Sequence, residues 1–578
     1  MRHNRRTAPL LVVLAALVLV SVAGCETSRP LNQGWPPDGG GVLVLPQSSN
    51  REVDLLFVID NSGSMAGEQA MVWTGYFGLL ESLRNMVGGI PDLHLGVIST
   101  DLGTGYPSGT GCDVAGDAGL MVTGNCANPV GAPYIVEVAP RGCDVIREND
   151  NTCSNHDCGP AHCAHEPSTT FVVDSATGCP RCRNYSGESL DDVFACIAYL
   201  GTTGCDFEQP LESMRQALDS GNAHNEGFLR ETAVLAIVMI TDEDDCSARY
   251  DQLFDPNLDG PLGPFTSFRC FEQGITCDVN DRLTTGPRHN CVPRADSASQ
   301  VHPVSRYVDF VDSIKDRQMV AVAVLGGPVI PSAEGDGFDV EIGLDADGNP
   351  ELQHSCTTAV DGAVPGIRLH SFAAAFNEPA ALDTWAYTSI CSGDLVPPLA
   401  GIGTVVRGLL GPQCLPAPLR GCADPGILYG APQADQTCDV NARCLPRCDV
   451  VDVFDRGLPT ERRLTVPPCL ELAPDGTVLP GNTDRALAYA NGVPYLRDAG
   501  LPADACWLIN YEENCPSSHF AELLIARSED PPARTFAEVQ CVLLPTDEHR
   551  CDDGLDNDED CLVDLDDPCC QNPSNCIN

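Results

Sequence analysis

Basic residues are scarce in this chain of 578 amino acids, and their scarcity limits the partners it can bind. Lysine occurs once, at Lys315, and 33 basic residues stand against 81 acidic ones, which gives a formal net charge of −48. A chain of this charge repels the phosphates of nucleic acids. We therefore expect no nucleic-acid partner, whereas metal cations and basic protein surfaces are compatible with this charge.

Histidine is also rare, and the motifs of histidine-dependent enzymes are missing. None of the 12 histidines lies in a His-Glu-x-x-His metalloprotease pattern, and no Gly-x-Ser-x-Gly elbow of a serine hydrolase is present. Ser517, Ser518 and His519 are adjacent in the chain, and side chains that close rarely form a nucleophile–base pair on their own. The sequence therefore predicts no enzyme. A hydrolase site in an insertion or in the C-terminal third stays an alternative without named residues.

The beginning of the chain predicts export. Residues 10–20 form an unbroken apolar run behind three arginines, which fits the core of a signal peptide and is too short to span a membrane comfortably. The run leads to a Val-Ala-Gly-Cys sequence that ends at Cys25 and resembles the lipobox of bacterial lipoproteins. The resemblance implies that residues 1–24 are removed and that Cys25 carries the lipid. The alternative is a plain signal peptide with a chance cysteine.

The cysteine content agrees with export. A reducing compartment does not suit 31 cysteines, and removing Cys25 leaves an even number that can pair completely into disulfides. Glu26 stands where lipoproteins kept at the inner membrane have aspartate, so the resemblance implies an outer-membrane or cell-surface location in a Gram-negative bacterium. Residues 25–50 contain a Gly- and Pro-rich stretch and are predicted to be a tether between the lipid and the folded part.

Apolar strands alternate with helical segments between residues 51 and 416. Strands are predicted at 53–60, 93–98, 233–240 and 319–325, and helices within 71–86, 307–314 and 395–410. The strands are nearly continuous apolar runs, which is typical of strands buried on both faces of a parallel sheet. The alternation predicts an α/β fold with a doubly wound, Rossmann-like sheet.

Oxygen-bearing side chains follow two of the predicted strands. Asp60, Ser62 and Ser64 come after the first, and Asp242 follows the third. Doubly wound sheets bind ligands beyond the carboxyl ends of their strands, and hydroxyl and carboxylate oxygens are ligands that Mg2+ accepts. The alternative is a serine-rich N-cap for the next helix, with Asp242 merely in an acidic loop.

The sequence around Asp60 resembles the Asp-x-Ser-x-Ser signature of von Willebrand factor A domains. The match covers residues 57–65, and residues 237–242 have the strand-then-Thr-Asp form of the same family. The resemblance implies a metal-ion-dependent adhesion site for Mg2+, Mn2+ or Ca2+. In it Ser62 and Ser64 bind directly, while Asp60 and Asp242 act largely through water. A loop threonine completes the family's site, and here we favour Thr203 over Thr202.

The predicted domain is longer than the roughly 200 residues of an ordinary domain of this kind, so we expect insertions near 106–195, 250–299 and 328–366. The first insertion mixes cysteines and histidines, which suits either disulfides or a zinc site. We favour disulfides, also for the Cys-x-x-Cys pair Cys179 and Cys182, which otherwise resembles a redox motif. Asp244 and Asp245 fit either a solvated acidic loop, which we favour, or a second cation.

The C-terminal part divides into two predicted segments. Residues 417–548 have short alternating stretches and recurring cysteines, which favour a disulfide-rich module of β-strands. Residues 549–578 form an acidic tail that resembles the repeats of thrombospondin type 3 modules, although Cys561 replaces the usual glycine. The resemblance implies a Ca2+ site at Asp556, Asp558, Asp560 and Asp564, and an unstructured acidic tail is the alternative.

These features together predict a surface-anchored lipoprotein that binds a protein or another ligand with an exposed carboxylate. The divalent ion of the adhesion site would bridge to that carboxylate. The alternative is a structural envelope protein in which the metal only stabilises the fold.

Overall fold

The computed structural model describes most of the predicted α/β region and selected strands beyond it. It covers residues 43–46, 51–86, 89–106, 112, 115–147, 151–257, 262–295, 299–358, 362–377, 381–392, 394–410, 413–414, 448–454, 459–467, 505–510, 522–527 and 535–541. Cys25, the residues 517–519 and the acidic tail with Asp556, Asp558, Asp560 and Asp564 lie outside the described residues. Within the described ranges no helix has both the length and the hydrophobicity needed to cross a membrane.

The described elements are numbered in chain order. The strands of the N-terminal half are β1 Leu43–Pro46, β2 Glu52–Ile59, β3 Asp92–Ser99, β4 Ile135–Val138, β5 Val145–Arg147, β6 Cys153–His156, β7 Thr170–Val173, β8 Pro180–Arg183, β9 Val234–Ile240, β10 Ile275–Thr276 and β11 Gly286–Pro293. Those that follow are β12 Val320–Gly326, β13 Ile330–Pro331, β14 Phe338–Leu344, β15 Pro350–Leu352, β16 Cys356–Thr357, β17 Gly362–Ala363, β18 Tyr387–Ser389, β19 Gln413–Cys414, β20 Cys448–Phe454, β21 Arg462–Val466, β22 Ala505–Asn510, β23 Glu522–Arg527 and β24 Thr535–Cys541. The α-helices are α1 Glu68–Arg84, α2 Leu190–Ala198, α3 Pro210–Leu218, α4 Phe268–Gly274, α5 Ser305–Ile314, α6 Ile367–Phe376 and α7 Val396–Leu410.

The largest sheet has eight strands in the order β18-β12-β9-β2-β3-β4-β8-β7. The four strands predicted from apolar runs are β2, β3, β9 and β12, and they lie side by side in parallel. Without β7 and β8, the six remaining strands have the order 3-2-1-4-5-6 along the chain, which is a doubly wound order. The α/β prediction is confirmed at this level.

Helices cover both faces of the large sheet because the side chains of its strands alternate between them. Leu55, Phe57 and Ile59 of β2 pack with α1, α2 and α7 on one face. Leu56 and Val58 of the same strand pack with α3, α5 and α6 on the other face. A strand between two helical layers has no polar face, which explains its continuous apolar run.

The segments predicted to be insertions contribute strands of their own. The first insertion supplies β4, β8 and β7, which extend the large sheet in antiparallel fashion beyond β3. The second and third supply β11 and β14, which pair with each other in a smaller sheet with β10, β13 and β15. Two insertions that are separate in sequence therefore form one structural unit.

Eight disulfides join cysteines of the described residues. The pairs are Cys112–Cys205, Cys126–Cys196, Cys143–Cys158, Cys153–Cys179, Cys163–Cys182, Cys246–Cys270, Cys277–Cys291 and Cys356–Cys391. The disulfide prediction is confirmed, and the zinc alternative loses its thiolate ligands. Cys179 and Cys182 each pair with a distant cysteine, so they do not form a redox pair. Atoms of Cys143, Asp157 and Cys158 lie within 4.8 Å of one another, but disulfide sulfurs are not thiolate ligands.

The described part of the C-terminal region consists of strands. One sheet has the order β1-β24-β20-β21 and another the order β19-β23-β22. Leu43 to Pro46 of β1 pair with β24, although these residues lie in the segment predicted to be a tether. Residues 43–46 are therefore part of a sheet and not of a tether.

Candidate metal centre

Asp60 lies directly after β2 and is completely buried. Its backbone N–H donates to the carbonyl of Ile240 in β9 at 2.9 Å. One carboxylate oxygen accepts the N–H of Ser62 at 2.7 Å, and the other accepts the hydroxyl of Thr241 at 2.6 Å. Burial raises the pKa of Asp60, and the hydrogen bonds from Thr241 and Ser62 oppose that rise. The segments that follow β2 and β9 thus hold this carboxylate from two sides.

Ser62 and Ser64 place their hydroxyl oxygens 3.0 Å apart. Ser62 is buried, whereas Gly63 is exposed and Ser64 is partly exposed. The N-cap of α1 is Gly67, and no side chain caps that helix end. The serines therefore do not form the N-cap that the alternative interpretation required. Two neighbouring hydroxyls beside an exposed residue are a geometry that one cation can use.

Asp242 comes two residues after β9 and lies against the same turn. Its carboxylate meets the hydroxyl of Ser64, and its Oδ1 atom is buried without a hydrogen-bond partner among the described residues. Burial and then the charge of Asp60 raise the pKa of Asp242 to about 9. The structure thus brings Asp60, Ser62, Ser64 and Asp242 together.

The position of this group follows from the topology of the sheet. β2 and β9 are adjacent and parallel, so their carboxyl ends meet at one edge. The chain leaves β2 for α1 on one face, and the helices α5 and α6 that follow β9 in the chain lie on the other face. A doubly wound sheet opens a crevice at such a reversal of strand order, where ligands bind.

Thr203 lies on the loop between α2 and α3 that borders the serine turn. The N–H of Gly204 donates to the carbonyl of Asn61 at 2.7 Å. The side chain of Gln69 joins the two segments by donating to Asp60 O at 3.0 Å and to Gly201 O at 2.7 Å. Thr203 is exposed and Thr202 is partly buried. The loop therefore lies beside the serine turn, and the choice between the two threonines stays a prediction.

Two further acids, Glu208 and Glu243, belong to this group, and sequence reasoning did not assign them to it. Glu208 precedes α3 and is buried, and both of its carboxylate oxygens lack a hydrogen-bond partner among the described residues. Burial and then the charge of Asp60 raise the pKa of Glu243 to about 8. The sequence offered one signal for Glu208, an acid beside Phe207 in the approach to a helix.

The charges that act most strongly on Glu208 are those of Glu243, Asp60 and Asp242, all of them acidic. Buried carboxylates without a cation are costly and take up protons instead. A divalent ion would supply the missing positive charge. The Oδ1 atom of Asp242, which has no partner among the described residues, would be one of its ligands. The residues present therefore fit a hard divalent cation.

Asp244 and Asp245 have structural roles and do not form a solvated loop. Asp244 accepts the backbone N–H of Arg368 at 3.0 Å at the start of α6. Asp245 binds the Arg368 side chain at 2.8 Å and the N–H of Leu211 in α3 at 3.1 Å. Both carboxylates are used, so the favoured solvated loop was wrong and the second cation at this pair has no support.

A scan against models of known protein families finds no match to this chain, and a search of curated proteins finds no similar sequence. The resemblance to von Willebrand factor A domains therefore stays a prediction from the motif and the strand pattern.

Proposed function

We propose that this protein binds a partner through a divalent cation held at the serine turn. Ser62, Ser64, Asp60 and Asp242 would hold Mg2+, Mn2+ or Ca2+, with a threonine of the 202–203 pair completing the set. The bound ion supplies a positive charge that attracts a carboxylate of the partner. The domain would then be a von Willebrand factor A type α/β domain, and the strand order supports that assignment.

The observation that carries this proposal is the unsatisfied oxygen set at the edge of the sheet. Asp242 Oδ1 has no partner among the described residues, and the Ser62 and Ser64 hydroxyls face each other at 3.0 Å. Gly63 and Thr203 are exposed beside them, so a partner can approach this edge. A buried ion that only stiffened the fold would not need an exposed rim.

Recognition beyond the ion would come from the loops around it. Loops on a rigid scaffold usually carry specificity. In sequence, the insertion near 106–195 precedes Thr202 and Thr203, and the insertion near 250–299 follows Asp242. The lipid at Cys25 would hold the domain at the outer membrane or cell surface, and the acidic tail would bind Ca2+. All of this describes a binding protein without catalytic chemistry.

The first test measures ion binding by calorimetry on the purified full chain. Asp60→Asn should weaken Mg2+ or Mn2+ binding tenfold or more, about 1.4 kcal/mol, since its carboxylate holds both Ser62 and Thr241 by hydrogen bonds. Asp347→Asn is the matched control because Asp347 is exposed in a distant hairpin. Equal affinity in the wild type and Asp60→Asn would remove the proposed site.

A second test separates adhesion from mere stabilisation. Peptides selected from a random display library in the presence of Mg2+ should depend on an Asp or Glu. They should be released by EDTA and should not bind the Ser64→Ala variant. If Mg2+ raises the melting temperature but no selected peptide requires a carboxylate, the structural alternative is correct.

A further inference from the structure

Glu208 is a buried acid that the proposed ion site does not use. Its side chain is 1% exposed, and neither Oε1 nor Oε2 has a hydrogen-bond partner among the described residues. Its backbone carbonyl accepts the N–H of Cys246 at 2.8 Å. The residue is therefore held between the loop after β9 and the start of α3, where folding deprives its carboxylate of water.

Buried Glu137 and Asp245 have cationic partners, and Glu208 has no such partner among the described residues. Glu137 binds Arg181 at 2.7 Å, and Asp245 binds Arg368 at 2.8 Å. The carboxylate of Glu208 meets that of Glu243 instead, and its other strong charge neighbours are Asp60 and Asp242. It is directed into the acidic group and not toward an arginine.

We propose that Glu208 and Glu243 hold a second divalent cation beside the ion of Asp60 and Asp242. This inference rests on the proposed function, because the two ions would lie in one cluster. One divalent ion balances the charge of two carboxylates, and the cluster has four. Carboxylate oxygens suit Mg2+, Mn2+ and Ca2+.

Thr100, the residue after β3, is a candidate third ligand. Its carbonyl accepts the N–H of Gln209, the residue after Glu208, at 3.0 Å. Its Oγ1 atom is buried and has no hydrogen-bond partner among the described residues. Glu208, Glu243 and this threonine would give the second ion a ligand set separate from the serines.

Mn2+ is the probe, because it replaces Mg2+ and is paramagnetic. The purified full chain and its variants Glu208→Gln and Ser64→Ala would be dialysed against Mn2+. Bound metal is then counted by mass spectrometry, and electron paramagnetic resonance reports spin coupling between neighbouring ions. Glu341→Gln is the matched control, since Glu341 is exposed on β14. Ions held by the tail remain constant across the series.

We expect Glu208→Gln to lose one Mn2+ per chain together with the coupled signal, and Glu341→Gln to match the wild type. An unchanged count in Glu208→Gln, with a loss in Ser64→Ala, would overturn the second ion and leave the first. It would mean that Glu208 and Glu243 share a proton. A loss in neither variant would overturn both sites. If Glu208→Gln does not fold, Glu243→Gln carries the same test.

Discussion

At the scale of single residues, the centre is defined by oxygens that the protein itself leaves without partners. Most buried polar groups in proteins are hydrogen-bonded, and each exception costs about 1–3 kcal/mol. Asp242, which meets Ser64, and Glu208 are such exceptions. A bound cation would offset this cost, and in that case we expect the stability of the protein to depend on metal.

The raised pKa of Asp242 determines how the stability of the metal-free protein changes with pH. Its pKa is about 9 in the fold against an ordinary value of 3.8, so folding without a cation takes up a proton between these values. The contribution to stability is complete below about pH 4 and is lost as pH rises through about 9. In EDTA, the melting temperature should therefore fall from about pH 5 to about pH 8, and millimolar Mg2+ should reduce that fall.

Asp242→Asn separates this effect from the general repulsion of an acidic chain. The variant should show a smaller pH dependence in EDTA and a smaller response to Mg2+ than the wild type. Scanning calorimetry at matched ionic strength measures both. An equal Mg2+ response in the wild type and Asp242→Asn would contradict the assignment of this carboxylate to the ion.

At the scale of elements, disulfides tie down the loops that carry the centre. Cys205 follows Gly204 and pairs with Cys112, and Cys246 follows the acidic loop after β9 and pairs with Cys270. All four cysteines belong to one small apolar cluster with Phe207 and Leu253. The threonine loop and the loop after β9 thus share an apolar cluster fixed by disulfides, which would keep their oxygens in place before an ion binds.

The double variant Cys112→Ser/Cys205→Ser tests this role. Loss of this cross-link should lower the free energy of unfolding by about 2–5 kcal/mol, and it should also weaken Mn2+ binding because the threonine loop loosens. The control is Cys143→Ser/Cys158→Ser, which removes a disulfide beside the β5–β6 hairpin. It should lose stability without losing ion affinity, and equal ion affinity in both double variants would refute the role.

At the scale of the whole molecule, the first insertion is integrated into the main sheet. Glu137 of β4 accepts hydrogen bonds from Arg181 at 2.7 Å, Arg183 at 3.1 Å and Tyr185 at 2.5 Å. Arg181 also donates to the carbonyl of Pro91 at 3.0 Å, next to β3. Because this buried network joins β4 and β8 to the residue before β3, we expect the insertion and the core to unfold together.

Glu137→Ala should therefore destabilise the entire α/β domain. Removing one partner of a buried ion pair costs about 3–5 kcal/mol, since both arginines lose their buried carboxylate. Guanidinium unfolding followed by tryptophan fluorescence and by circular dichroism should show one transition at lower denaturant. Glu341→Ala is the exposed control. Two separate transitions in Glu137→Ala would show that the insertion unfolds independently.

Features that depend on neighbouring residues were predictable from the sequence, whereas features that join distant segments were not. The strands β2, β3, β9 and β12 and the grouping of Asp60, Ser62 and Ser64 follow from local patterns. The inclusion of residues 43–46 in a sheet, the pairing of β11 with β14 and the bonds of Arg368 to Asp244 and Asp245 do not. Each of these joins segments far apart in the chain, and no local pattern encodes the partner.

The sequence by itself determined that this chain builds a buried α/β sheet with hydroxyl and carboxylate oxygens at its strand ends, because apolar periodicity and motif spacing are local properties. Only the tertiary structure decided which cysteines pair and that Glu208 and Glu243 face Asp60 and Asp242. Those contacts depend on how strands order themselves and how helices pack across the sheet. They are set by burial over the whole fold, and burial of a particular side chain cannot be read from its neighbours in sequence.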